Sequence, residues 1–113
     1  MTLTQLEAMA LTFAIEAPVA ALLGPLLRLS PLRCAGAAVL GTTLTHPILW
    51  GIFAAAQSVF GALTTPVLET FVFLAESIAY RTIATPRWDD ALLLSLLVNA
   101  ASWGVGELIY ALT

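Results

Sequence analysis

Four long apolar stretches, broken by short clusters of proline, glycine, hydroxyl and charged residues, make up almost the whole chain. A membrane crossing needs about 20 apolar residues, so the pattern predicts helices over roughly 3–27, 32–55, 64–81 and 89–111. The punctuation supports these bounds. Gly24 and Pro25 are expected to bend or end the first helix. The pairs Ser30–Pro31 and Thr65–Pro66 each offer a hydroxyl cap followed by proline in the first turn, where the missing N–H is not needed. The stretch "ATPRWDD" predicts a turn, with Trp88 at an interface and Asp89 or Asp90 as an acid opening the last helix. The expected fold is therefore an all-α integral membrane protein: one domain, residues 1–113, built as a four-transmembrane-helix bundle.

Composition sharpens this picture. The 113 residues are 60% hydrophobic and only 10% charged, with a mean hydropathy of +0.97, far more apolar than a soluble domain of this size tolerates. The opening "MTLTQLEAMA" carries an acid and no basic residue, unlike a secretory signal, so the first helix is expected to stay in the mature protein. The one cysteine, Cys34, lies among Ala and Gly and reads as a small packing residue. A net charge of -3 argues against nucleic acid as a partner. No glycine-rich phosphate loop, Cys/His zinc pattern or hydrolase elbow is present, and an enzyme is not expected.

All the basic residues fall in two connections, Arg28 and Arg33 in the first, Arg81 and Arg87 in the third. The positive-inside rule then places both arginine loops in the cytoplasm, with both termini and the connection around "AAQSVFGALTT" outside. A bacterial inner membrane is the expected location.

Candidate chemistry lies inside the apolar stretches. Glu16, His46, Glu69 and Asn99 are each 12 or 13 residues from an arginine, which at 1.5 Å per residue puts them roughly 18–20 Å from the arginine level. They are expected to share one layer, with His46 facing inward to meet Glu16 or Glu69. Buried charge in lipid costs a few kcal/mol even on generous insertion scales, so these acids must be protonated, paired or hydrated. Hydroxyls accompany each centre at helical spacing: Thr12 before Glu16, Thr42 and Thr43 before His46, Ser95 and Ser102 around Asn99. Helix three adds Glu76 and Tyr80 on nearly the same face as Glu69, either as a relay step or with Glu76 paired to Arg81 or Tyr80. Pro18 and Pro47 leave the carbonyls of Ala14 and Thr43 without helical partners. The stretches "CAGAAVLG" and "NAASWGVG" space small residues for close helix packing, while Trp50, Trp103 and Tyr110 fall at the outer ends as interface anchors.

An offset of 53 residues pairs Glu16 with Glu69, Arg28 with Arg81, His46 with Asn99, Trp50 with Trp103 and Gly51 with Gly104. This suggests two repeated helical hairpins related by a pseudo-two-fold axis along the membrane normal.

Three functional readings follow. The first is proton- or cation-coupled transport through a site of Glu16, His46, Glu69, Asn99 and Glu76. Within it, Glu16, His46 and Glu69 are a chemically plausible metal set. The second is a non-catalytic structural or assembly subunit of a larger membrane complex, its polar layer acting as interhelix adhesive. The third is haem or chlorophyll binding through His46; no cofactor is otherwise indicated. Expected partners are the lipid bilayer and either further copies of the chain or other membrane subunits. In size, four-helix plan and a single glutamate in the middle of helix one, Glu16, the chain resembles the small multidrug resistance transporters, which work as dimers. The resemblance carries over to Glu16 alone.

Overall fold

The computed structural model describes residues 3–112, and among them every regular element is helical. Helix α1 spans Gln5–Leu23, α2 Pro31–Phe60, α3 Thr64–Ile83 and α4 Trp88–Leu112, with 3-10 turns at Gly24–Leu27 and Gly61–Leu63. Three continuous helical runs, 5–27, 31–83 and 88–112, are long and apolar enough to cross a membrane.

Local chemistry sets most of the ends. Thr4 caps α1: its hydroxyl accepts from Glu7 N at 3.1 Å, while Thr4 N donates to the Glu7 carboxylate at 3.2 Å. This reciprocal pair is the T-x-x-E capping box, a signal the apolar pattern alone passes over. Helix α1 ends at Leu23, continues as the 3-10 turn through Gly24 and Pro25, and stops where Arg28 adopts a left-handed conformation at φ 62°. Ser30 then caps α2 by accepting from Arg33 N, with Pro31 in the first turn. At α4, Thr85 Oγ1 accepts from Arg87 N, and Arg87 forms a two-pronged pair with Asp89 at 3.1 and 2.7 Å. That hydrogen bond, with the charge of Asp89 behind it, pushes the exposed Arg87 guanidinium above its usual pKa.

The connection between α2 and α3 differs from expectation. Helix α2 continues past 55 to Phe60, so "AAQSVF" is helical, and the reversal is confined to a 3-10 turn beginning at Gly61. Gly61 has φ 56° and ψ -124°, open to glycine and strained for any residue with a Cβ. Thr65 does not cap α3 either. The helix begins at Thr64 after Leu63, with no side-chain cap, and Thr64 Oγ1 donates to Gly61 O at 2.7 Å. The turn already supplies the entry geometry, which leaves Pro66 inside the first helical turn.

The helices pack around a ring, α1 on α2, α2 on α3, α3 on α4 and α4 back on α1. Their buried core sits toward the arginine end: Ala20, Cys34, Ala37, Ala38, Tyr80, Ala91, Leu94 and Val98, with Leu27, Leu29 and Ile83 around it. Small side chains on α2 allow this approach, and Cys34 is a packing residue pressed against Gly24. Toward the other end the helices open. Residues 51–55 of α2 and 103–105 of α4 are exposed, and Gly51, Gly104 and Gly106 have no neighbouring atoms where a Cβ would stand. Small residues in "NAASWGVG" therefore do not all mark close packing within the chain.

Candidate functional site

Two carboxyl groups lie at the centre of the ring, Glu16 from α1 and Glu76 from α3, each only 2% exposed. Thr42 Oγ1 donates to Glu16 Oε1 at 2.6 Å. Thr45 Oγ1 reaches Glu76 Oε2 at 3.1 Å and its own helix at Gly41 O, and Asn99 Nδ2 donates to Glu76 Oε1 at 3.2 Å. Asn99 is held by Ser95, through the carbonyl at 2.8 Å and the hydroxyl at 3.3 Å, while Ser95 Oγ donates to Phe73 O. All four helices thus contribute to one polar layer, and every side-chain donor to the two acids is neutral. Among the described residues, neither Glu16 nor Glu76 has a basic partner.

Hairpin register explains why these residues meet. Glu16 and Thr42 are equally far along the chain from Leu29, and so are Gly24 and Cys34, which touch. Near the loop, residues of α1 and α2 therefore pair symmetrically about Leu29, and Glu16 faces Thr42; farther out the pairing shifts, since Gln5 meets His46. His46 lies one turn farther from the loop. It does not meet Glu16 or Glu69: its Nδ1 faces Gln5 Nε2 at 3.3 Å, a hydrogen bond when Nδ1 carries no proton, and its ring stacks on Trp50 with centroids 5.8 Å apart.

Glu69 also departs from the expected layer. It lies two helical turns, about 10 Å, before Glu76 on the same helix, and Asn99 bonds Glu76. Counting residues from the arginines misplaced Glu69 because those arginines do not share one level: Arg28 sits in a loop beyond a 3-10 turn, whereas Arg81 is within α3. The residues paired by the offset of 53 have correspondingly unlike surroundings. Glu16 is buried on Thr42 and Glu69 half-buried; His46 is half-buried on Gln5 and Asn99 buried on Glu76.

A cleft of about 620 Å³ joins these groups. Glu16, His46, Glu69, Glu76 and Asn99 all line it, with Thr12, Thr42 and Ser102. Thr45, absent from the sequence-based set, lines it as well. The cleft leads from the buried carboxyls past Trp50 and Trp103 to Phe53 and Glu107, which are exposed. The two tryptophans border its mouth as well as the outer surface, and Glu107 belongs to its rim.

Other expected members stand apart. Thr43 is exposed, its hydroxyl donating to Val39 O at 2.7 Å, so it points away from the site. The buried face of α2 runs through Cys34, Ala37, Ala38, Gly41 and Thr42, continues to Thr45 and leaves Thr43 outside. Glu76 pairs with neither Arg81 nor Tyr80. Arg81 lies over the Trp88 ring at 5.6 Å, and among the described residues neither its buried Nε nor the buried Tyr80 hydroxyl has a hydrogen-bond partner. An orphan of that kind costs about 1–3 kcal/mol. Glu16, His46 and Glu69 do not assemble a metal centre: among the described residues no three or more His, Cys, Asp or Glu side chains are placed to hold an ion. Gln5 also occupies Nδ1 of the ring.

Comparison of the chain with protein-family models, curated proteins and solved structures returned no match.

Proposed function

We propose that the chain is a four-span membrane protein that exchanges protons for a cation at Glu16 and Glu76. One observation carries this reading: two carboxyls from different helices, buried at the base of an open cleft, have hydroxyl and amide donors but no positive partner. A buried ion pair would be structural adhesive; two acids without a counter-charge need a proton or a cation to be neutral. Glu16 lies close enough for its charge to act on Glu76, which favours sharing such an occupant.

The exposed surface supports a lipid setting. Leu22, Leu26, Leu32 and Val59 are each at least 74% exposed, an apolar covering that water would not favour. Under the positive-inside rule the arginine end faces the cytoplasm, and the mouth between Trp50 and Trp103 faces outside. Glu69 and Glu107 then line the entry, drawing cations inward, and Glu16 and Glu76 hold the occupant at the bottom. The helices tightly packed at the arginine end close the other side. Exchange requires that end to open in turn, with the proline-bearing helices α1 and α2 adjusting around the occupant.

Vesicles containing the purified protein and a pH-sensitive dye provide the test. An outward gradient of sodium, potassium or the permanently charged tetramethylammonium is expected to acidify the interior as cation leaves and protons enter. Glu16→Gln and Glu76→Gln are expected to abolish the response with expression intact. Wild-type vesicles that acidify under none of the three gradients would overturn the proposal, and so would full activity in both variants.

A further inference from the structure

Among the described residues, Tyr80 is the largest fully buried side chain, and its hydroxyl has no hydrogen-bond partner there. A phenylalanine would fill the same space among Ala20, Cys34, Ala37, Ala91 and Leu94 without stranding a polar atom. The hydroxyl is therefore a buried donor with its hydrogen bond still to give.

Its surroundings narrow that use. Tyr80 follows Glu76 by four residues on α3, and helical side chains lean back toward the preceding turn, so the ring points toward the Glu76 carboxyl. The titratable groups close enough to interact with it are Glu76 on its own helix, Glu16 from α1 and Cys34 from α2. The α4 side chains in the same cluster, Ala91, Leu94 and Val98, bring no charge. Glu16 comes from another helix, whereas Glu76 stands one turn before Tyr80 on the same face of α3, and a thiol is a weak partner. Glu76 has room: an ionised carboxylate offers about four acceptor positions, and Thr45 and Asn99 take one on each oxygen.

We infer that Tyr80 couples the carboxyl site to the closed arginine end: its hydroxyl donates to Glu76 when that carboxyl is ionised and lets go when the carboxyl takes up a proton. A small rotation of the ring makes the bond, and because Tyr80 belongs to the buried cluster with Ala20, Cys34 and Ala91, that rotation disturbs the packing that seals the end opposite the cleft. Tyr80 acts through Glu76 and need not touch the transported ion, so it is a positioning residue. The inference rests on the exchange reading, which makes Glu76 the group that gains and loses a proton.

Infrared difference spectra between acidic and alkaline pH test it, taken on the protein in vesicles with ring-labelled tyrosine. A carboxylic C=O band lost on going alkaline, accompanied by a shift in a tyrosine C–O band, is the expected wild-type result. Tyr80→Phe, which keeps the ring volume, removes the tyrosine signal and retains the carboxyl band. Glu76→Gln removes the tyrosine signal too, and Tyr110→Phe leaves both signals in place. A tyrosine signal that survives Tyr80→Phe or Glu76→Gln overturns the inference, as does a wild-type carboxyl band with no tyrosine signal beside it. That last result leaves the exchange reading intact, whereas the absence of any titrating carboxyl band defeats both. Paired bands without cation-driven acidification defeat exchange alone.

Discussion

Helix α2 passes Glu76 at Gly41 so closely that a Cβ added to Gly41 would stand 3.0 Å from Glu76 Cγ and 3.4 Å from its Cβ. That contact sets the height at which the α2 hydroxyls can reach the acid, since Thr45 bonds both Gly41 O and Glu76. Gly41→Ala must push the helices apart or move the carboxyl. Overpacking of this kind costs about 1–3 kcal/mol, offset by up to about 1 kcal/mol from alanine's better helix propensity. Gly36, on the same helix with nothing within 4 Å, is the control. Thermal or detergent unfolding should show Gly41→Ala destabilised and Gly36→Ala unchanged or slightly stabilised. Equal effects at the two positions would mean that Gly41 is not a point of close approach.

The neighbouring threonines of α2 predict opposite outcomes for the same substitution. Thr42→Val keeps the shape but removes the hydroxyl that donates to Glu16, leaving a buried carboxyl oxygen without its donor, at about 1–3 kcal/mol. Thr43→Val changes an exposed hydroxyl bonded only to its own helix and should stay within about 0.5 kcal/mol of wild type. Unfolding midpoints for the pair check which face of α2 looks inward.

Much of the architecture follows from local chemistry that needs no partner helix. Ser30–Pro31 opens α2 and Gly24–Pro25 ends the α1 run because caps and missing N–H groups act within a few residues. The centrality of Glu16 was legible for a similar reason, as an acid flanked on both sides by apolar sequence is expensive wherever the helix sits. Which residues face it is a relation between helices, fixed by where the small residues allow contact. Taking His46 as the inward position of α2 turned the helix by about one residue, bringing in Thr43 and missing Thr45. The spacing Cys34, Ala38, Gly41, Thr42, Thr45 carries the correct face, because small side chains mark where another helix must approach. Glu76 gained the central position from Glu69 because α3 and α4 register through Asn99, and no count from the arginines contains that contact.

At the opposite end from the cleft, Gly24 and Cys34 form a coupled pair. A Cβ on Gly24 would come 2.6 Å from Cys34 Sγ, closer than two such atoms can stand. Gly24→Ala should therefore be destabilising alone, and Cys34→Ala should relieve the worst of the clash by deleting the sulfur, leaving the residue-34 Cβ 3.2 Å away. Contacting residues of this kind show interaction energies of about 0.5–3 kcal/mol in double-mutant cycles. The double variant is expected to be more stable than the sum of the single effects. Strict additivity would show that the loop relaxes around the new methyl group.

Orientation can be read from which face of a sealed vesicle or cell admits a polar reagent. In a Cys34→Ala background, Ser58→Cys and Pro86→Cys place one thiol on exposed residues at opposite ends of the bundle, near the α2–α3 and α3–α4 turns. The arginine distribution predicts that a membrane-impermeant maleimide added to intact cells labels Cys at 58, and labels 86 only after the membrane is opened. If both thiols label from outside, α3 does not cross the bilayer and the cleft has no separate sides. Labelling of 86 alone would put the mouth of the cleft in the cytoplasm. Replacing Arg81 and Arg87 by neutral residues tests the cause, since a topology held by positive charge should then give mixed labelling.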